Sequence, residues 1–304
     1  MNAMTNPQVA PAVPNDPTPA PRPRKRSLAW RLRTGAALSY LMLSVLALVY
    51  IYPFLITVSS AFKTDDEATN DPLRLIPQIW SFASFERLFT EVPLPLWAMN
   101  TVFVTITITL GRVFFDSLAG YALSRLRFRG RGFIFASLIA VMAVPGVVLL
   151  IPRFLILRQF GMYDSYAGMI VPLLVDAAGI FIMKQFFESI PSGVEEAARL
   201  DGAGVFRTFW MIVLPMARPA LVTLFILSFQ GSWNEFGHFI VSRQSPETNT
   251  LTTGIASLFS GQLGSGNEYP LKMAAAVLMT IPVAIMFFVF QKRLINTTEG
   301  SEKG

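Results

Sequence analysis

Long stretches without charge constrain this chain more than any other feature. A helix needs about 20 mostly apolar residues to cross the hydrocarbon core of a bilayer. Six segments reach that length with at most one charged side chain each, and they are residues 34–62, 92–111, 132–152, 165–183, 219–242 and 273–291. We therefore predict six transmembrane helices, of which the fourth contains Asp176 and the fifth contains Glu235.

The composition agrees with a membrane protein and removes most enzyme chemistry. Only 14% of the residues are charged, whereas soluble domains carry about 25%. The chain has no cysteine and one histidine, His238, so thiolate sites, cysteine nucleophiles and multi-histidine metal sites are excluded. We predict no catalytic residue and no metal site.

The distribution of lysine and arginine predicts the orientation of the helices. With the N-terminus inside, 17 of the 25 basic residues fall in cytoplasmic segments and seven in external ones, as the positive-inside rule requires. Both termini are then cytoplasmic. The net charge of +6 follows from this topology and from attraction to anionic lipids of the bilayer, so nucleic acid is not expected as a partner.

The chain is accordingly divided into three parts. Residues 1–33, with seven prolines among the first 23, are predicted to be a disordered, proline-rich and basic cytoplasmic tail. Residues 34–295 form the six-helix membrane domain, and residues 296–304 are a cytoplasmic C-terminal tail.

The segment between the fourth and fifth helices, residues 189–215, has a readable local structure. Ser192 and Glu195 have the spacing of a capping box, which predicts a helix start. Asp201 and Gly202 predict its end. A second short helix should follow and end at Pro215. Its apolar residues at helical spacing are Val205, Phe209, Ile212 and Val213.

Two interpretations of this helix–turn–helix remain open from the residues alone. It can be an amphipathic linker that lies on the membrane surface. It can also be a knob that docks into a soluble partner, because Ala197 and Ala198 are small and let another protein approach closely.

This segment resembles the EAA loop of ABC importer permeases. The resemblance is carried by Glu196-Ala197-Ala198, Gly202 and, after nine residues, the sequence Ile-Val-Leu-Pro that ends at Pro215. Three further stretches resemble the smaller permease of maltose-type importers: SLAGYALSRLRFRGR at 117–131, GMYDSYAG at 161–168 and GSWNEF at 231–236. The similarity extends from about residue 35 to residue 295.

The resemblance implies an all-α permease fold in the bacterial cytoplasmic membrane and a set of partners. Such a permease pairs with a second, similar permease, while two cytoplasmic ABC ATPases bind ATP and magnesium and an extracytoplasmic binding protein delivers the sugar. The chain itself lacks a phosphate-binding loop and is expected to be neither an enzyme nor a cofactor-binding subunit. The residues implied to contact the ATPase or close the motif are Glu196, Ala197, Ala198, Asp201, Gly202, Ala203 and Pro215.

Charged residues within the predicted helices are candidates for function, because they are costly in a bilayer. Arg112 and Asp116 are four residues apart on one helix face, where they either neutralise each other or take part in the translocation path. Asp176 and Glu235 have no evident partner. They either line the translocation path or form hydrogen bonds between helices. Near Glu235, a polar and aromatic group suited to contacting a sugar comprises Gln230, Trp233 and Asn234.

Other functions remain as alternatives to the sugar permease. A secondary transporter driven by an ion gradient would use Asp176 and Glu235 as coupling carboxylates, although no inverted repeat is visible. An ABC permease for a polyol or a glycerol phosphate would share the same motifs. A membrane hydrolase has little chemistry available in this composition.

Overall fold

The structure, a computed structural model, describes residues 26–260 and 268–299. Every regular element in these two ranges is a helix, so the all-α prediction is confirmed for the described part of the chain. The chain divides into two units, Met1–Pro53 and Phe54–Gly304.

The first unit contains most of helix α1 (Arg26–Ala61). The side chains of residues 38–53 are all exposed and mostly apolar, as expected for a helix surrounded by lipid. Helix α1 begins within the predicted tail of residues 1–33, because nothing in the basic segment before residue 34 breaks a helix. Residues 1–25 of that tail lie outside the described residues.

The second unit contains the remaining helices. Those of its first half are α2 (Asp65–Asn70), α3 (Ala83–Thr90), α4 (Leu94–Arg125), α5 (Arg131–Met142), α6 (Leu150–Gln159), α7 (Tyr166–Ile170) and α8 (Ala177–Ser189). Those of its second half are α9 (Ser192–Leu200), α10 (Val205–Thr208), α11 (Leu214–Met216), α12 (Arg218–Trp233), α13 (Gly237–Ser242), α14 (Leu251–Ser260) and α15 (Tyr269–Glu299). Helix α15 extends into the predicted C-terminal tail, of which residues 300–304 are not described.

Among the described residues, four helical segments are long and apolar enough to cross a membrane by themselves. They are Leu38–Ala61, Leu94–Arg125, Tyr166–Ser189 and Tyr269–Gln291. Two further segments qualify only as bent pairs of helices, so the number of crossings is four, or up to six if each bent pair is one span.

The predicted third span is one of the bent pairs. Helix α5 and the segment Gly146–Gln159 meet at an angle of 101°, so the chain bends within the charge-free stretch 132–152. Pro145 accounts for the break, because it has no N–H to donate and forces the preceding residue out of the helical region.

The predicted fifth span, residues 219–242, is shorter in the structure. Helix α12 has 16 residues and ends at Trp233, so it is about 24 Å long at 1.5 Å per residue. At its start it is bent by 79° from Val205–Met216, where Pro219 has no N–H to continue the helical hydrogen bonds. Helix α13 forms separately after a turn.

Helices α4 and α8 form the centre of the second unit. Tyr121 of α4 contacts Phe187 of α8 and Phe209 in a buried cluster. Their backbones approach closely at Gly120, where a Cβ would lie 2.8 Å from the Met183 Cβ. Small residues at helix crossings allow such close packing in membranes, so Gly120 determines how near α8 can lie to α4.

Replacing Gly120 with alanine is expected to destabilise the chain by about 1–3 kcal/mol, because the new Cβ overpacks against α8. The control is Gly132→Ala in α5, where a Cβ meets nothing within 4 Å and alanine is the better helix former. Unfolding free energies measured in detergent should fall for Gly120→Ala alone. Equal values for the two variants would contradict the close approach.

Candidate coupling turn and intramembrane charges

Helix α9 begins at Ser192 as predicted, but the predicted capping box is wrong. Pro191 occupies the N-cap position, and no side-chain hydrogen bond caps the helix. Proline has a fixed φ compatible with a helix start, so Ser192 lies one position inside the helix. Glu195 is thereby free for another contact: its carboxylate is buried and points toward Arg125.

The end of α9 agrees with the sequence. Gly202 has a φ of +76°, which glycine adopts without strain. The N–H of Gly202 donates to the Arg199 carbonyl at 3.0 Å, and the N–H of Ala203 donates to the Ala198 carbonyl at 2.9 Å. These two bonds satisfy carbonyls at the helix end and turn the chain sharply after Asp201.

The second helix of the loop differs from the prediction. After α10, the backbone forms a π-helical turn over Phe209–Val213, and α11 continues to Met216. Pro215 therefore does not end the helix. It lies in the first turn of α11, where its missing N–H costs little.

The residues around Gly202 form an exposed surface that includes large apolar side chains, which we call the coupling turn (residues 196–206). Leu200 is 90% exposed and Phe206 is 76% exposed. Glu196 and Ala197 are also exposed. Ala198, in contrast, is 4% exposed, so only one of the two small residues is available to a partner. Large apolar side chains exposed together are characteristic of interaction sites.

Arg125 connects the coupling turn to the membrane helices. Its guanidinium donates to the carbonyls of Phe187 and Ile190 at the end of α8, and its Nε lies 3.4 Å from Oε1 of Glu195 in α9. Both side chains are largely buried, at 12% and 7% exposed. In the sequence, Arg125 counts only toward the positive charge of the cytoplasmic segments. Its one sequence signal is its place within the 117–131 motif.

Replacing Arg125 with glutamine should cost on the order of 3 kcal/mol, because Glu195 would remain buried without its cation. Arg199→Gln provides the control. Arg199 also faces Glu195, at 3.9 Å, but is 64% exposed, and such pairs contribute less than about 1 kcal/mol. The measurement is the unfolding free energy of each purified variant. A similar loss of unfolding free energy in both variants would contradict the role of Arg125 in pairing with the buried Glu195.

Arg112 and Asp116 do not form the predicted pair; no ion pair between them is present in the described structure. Arg112 Nε donates to the Leu173 carbonyl at 2.7 Å. Asp116 Oδ1 accepts from the Asp176 N–H at 3.0 Å. The fourth span is broken between Leu173 and α8, and this break exposes a carbonyl end and an N–H end. The free carbonyl attracts the Arg112 cation and the free N–H attracts the Asp116 carboxylate, as the ends of a helix do. The two side chains therefore do not pair with each other.

Asp176 and Glu235 also bond helix ends rather than remaining unpartnered. Asp176 Oδ2 accepts from the Gly179 N–H at 3.1 Å and caps α8. Glu235 Oε1 accepts from the His238 N–H at 2.7 Å, at the start of α13. Both bonds are local caps of the helix that follows, rather than the expected hydrogen bonds between helices.

The polar and aromatic group near Glu235 is divided by the structure. Trp233 is 3% exposed, stacks on Phe229 and donates from Nε1 to the Met279 carbonyl at 3.1 Å. Its indole is therefore part of the core and is not free to stack on a sugar in this conformation. Gln230 and Asn234 are exposed and remain available to a ligand.

Asp164, within the 161–168 motif, is a site that sequence reasoning missed. It has a φ of +59°, and its carboxylate accepts hydrogen bonds from the Ser245 hydroxyl and from the N–H groups of Gln244 and Ser245. These bonds lower the pKa of the Asp164 carboxyl to about 2. Asp164 thus fastens the loop before α7 to the loop after α13.

Asp164→Asn should lower stability in a pH-dependent way. The folded pKa lies below the unfolded value of about 3.9, so the stabilisation is fully present above about pH 4 and is lost as the pH falls toward 2. Solvent screening keeps it near or below about 1 kcal/mol. The melting temperature of Asp164→Asn should lie below wild type at pH 7, and the difference should shrink below pH 4.

The matched control for Asp164 is Asp66→Asn in α2. Asp66 is exposed, and the described contacts give its carboxylate no hydrogen bond. This variant should melt with wild type at both pH values. A gap for Asp164→Asn that stays constant between pH 7 and pH 3 would contradict the role of the carboxylate charge.

Residues 116–299 match the family of binding-protein-dependent transport system inner membrane components. The match covers more than half of the chain and includes α8, the coupling turn and the bent fifth segment. The chain belongs to this family. It is a multi-pass membrane protein with an all-helical fold.

Known members of the family are similar along nearly the whole chain. The arabinooligosaccharides transport system permease protein AraQ of Bacillus subtilis is 32% identical, over 90% of this chain and 96% of the relative. The sn-glycerol-3-phosphate transport system permease protein UgpE of Yersinia pestis is 28% identical, over 87% and 96%.

A solved structure shows the same fold. A chain of a bacterial ABC transporter involved in the import of the acidic polysaccharide alginate superposes with a TM-score of 0.75 and 28% identity, over 90% of this chain and 99% of that chain. In the described residues, no group of three histidine, cysteine, aspartate or glutamate side chains could hold a metal ion.

Proposed function

We propose that this chain is the permease subunit of an ATP-driven ABC importer and forms half of the translocation path for a carbohydrate. The coupling turn carries this proposal: Leu200 and Phe206 are exposed beside a left-handed Gly202, on a helix tethered to α4 and α8 through Arg125. A cytoplasmic ATPase that moved α9 would move both membrane helices with it.

Six crossings with both termini inside are supported by contacts between segments assigned to the same face. On the proposed inner face, Arg125 lies 3.4 Å from Glu195, and Arg131 lies 3.6 Å from Glu188. On the proposed outer face, Asp164 binds the loop after α13, and Arg87 lies 2.7 Å from Glu268. Each bent pair then counts as one span. Two segments separated by an even number of crossings lie on the same side of the membrane. The contacts above join segments that are two or four crossings apart when each bent pair is counted as one span.

The division of labour follows from the family. We infer that a second, similar permease completes the path and that two ABC ATPases bind ATP and magnesium, with one of the two ATPases docking at the coupling turn of this chain. A binding protein on the outer face delivers the solute. This chain contains no phosphate-binding loop, so it binds no cofactor of its own and is not an enzyme.

A carbohydrate is favoured as substrate, because the names of AraQ and of the alginate transporter both refer to carbohydrates. A glycerol phosphate is the second candidate and is supported by the similarity to UgpE. An ion-driven transporter has less support, because the carboxylates of Asp176 and Glu235 are engaged at helix ends. The solute that co-purifies with the cognate binding protein, identified by mass spectrometry, distinguishes the two substrates.

Gly202→Asp tests the coupling. Aspartate places a side chain and a charge on the coupling turn, so we expect the ATPase to be lost on co-purification and solute uptake to fall at least tenfold, which corresponds to about 1.4 kcal/mol of lost docking energy. Gly161→Asp is the control, since Gly161 has a similar φ of +66° and also has open space around it but lies away from the turn.

Retention of the ATPase and of wild-type uptake by Gly202→Asp would overturn the coupling assignment. Uptake into proteoliposomes by this chain alone, driven by an ion gradient and without any ATPase, would favour the secondary transporter instead.

A further inference from the structure

A polar cavity of about 560 Å³ lies between the end of α4 and helix α9. We call it the arginine cavity, because four of its lining residues are Arg125, Arg127, Arg131 and Arg199. Two carboxylates, Glu195 and Glu196, also line it. Its volume is sufficient for a phosphate group with several bridging waters, since a water in the liquid occupies about 30 Å³.

The positive charges of the cavity exceed the negative ones. Glu195 is shared by Arg125 and Arg199, and Arg131 is held by Glu188 at 3.6 Å. Arg127 is exposed and has no partner in the described contacts. The four guanidinium groups and two carboxylates of the lining sum to +2, and Glu188 outside the lining offsets one of these charges through Arg131. The remaining positive charge suits a phosphate, because guanidinium groups match phosphate oxygens in bidentate geometry.

An apolar surface begins directly beside the cavity. Arg131, which lines the cavity, is also the first residue of α5, and α5 has no fully buried residue. Phe133 is 79% exposed and Ile134 is 45% exposed, only about 3 to 5 Å further along the helix axis. A ligand for this site therefore combines an anionic head with an apolar body.

We propose that the arginine cavity binds the phosphate of an anionic phospholipid whose acyl chains lie along α5. Basic pockets next to membrane helices recognise such headgroups. An acidic side chain of a partner protein would satisfy the arginines but would leave the exposed face of α5 without an occupant. An anionic phospholipid pairs with the arginines through its phosphate and covers the exposed face of α5 with its acyl chains. Because Glu196 of the coupling turn also lines the cavity, the bound lipid lies against the proposed ATPase contact.

Native mass spectrometry of the full-length chain, purified from membranes with its accompanying subunits, measures the binding. Phosphatidylglycerol should bind more tightly than phosphatidylcholine with the same acyl chains. Arg127→Gln should weaken phosphatidylglycerol about fivefold, the contribution of one arginine near a membrane surface. Arg127→Lys should retain most of the affinity.

Arg129→Gln is the matched control, because Arg129 lies in the same exposed loop and carries the same charge but does not line the cavity. It should change the affinity for phosphatidylglycerol by less than about twofold. An equal loss in Arg127→Gln and Arg129→Gln would mean general attraction to the basic loop, and the cavity site would be wrong.

Two further arms distinguish the source of the anion. If inorganic phosphate at millimolar concentration displaces the lipid completely and no preference for phosphatidylglycerol remains, the ligand is a free anion and the lipid proposal fails. If Arg127→Gln leaves lipid binding unchanged but releases the ATPase, the cavity receives an acidic side chain of that partner. Neither result would affect the test of the coupling turn at Gly202.

Discussion

The need to satisfy backbone polar groups inside a bilayer determines most of this structure. Lipid offers no hydrogen bonds, so each helix break at membrane depth must find partners within the protein. The fourth span is broken before α8, and Arg112 and Asp116 supply the missing cation and anion at the two broken ends. Asp176 and Glu235 act in the same way on α8 and α13. The costly intramembrane charges are thus explained by the helix breaks that they stabilise.

Helix α4 provides three side-chain contacts to the fourth span, at the break before α8 and at the end of α8. Arg112 binds the carbonyl just before the break, Asp116 binds the N–H at the start of α8, and Arg125 binds the carbonyls at its end. Together with the close approach at Gly120, these bonds hold α4 and α8 to each other. Arg125 also links this helix pair to α9, because it contacts Glu195.

Sequence reasoning predicted features that depend on local or periodic signals and missed those that depend on tertiary contacts. The apolar stretches and the turn at Gly202 follow from hydropathy and from glycine's backbone freedom, and both are present. The capping box at Ser192 failed because Pro191 takes the N-cap position, and Glu195 instead faces Arg125, which is distant in sequence. The Arg112–Asp116 pair failed because helical spacing cannot reveal a break in a neighbouring span. Trp233 was predicted to contact a sugar because it lies among polar residues in the sequence. It is buried against α15, and sequence spacing does not reveal that α15 lies beside it.

The exposure of Leu200 and Phe206 has a consequence for the life of the chain before assembly. Burial of a large apolar side chain is worth about 1.5–3 kcal/mol, and both side chains are exposed when the chain is alone. If the proposed ATPase covers them, a chain made in excess of that ATPase would keep this apolar patch exposed, and such patches favour aggregation. The proposed function therefore implies that the cell keeps this chain in proportion to the ATPase.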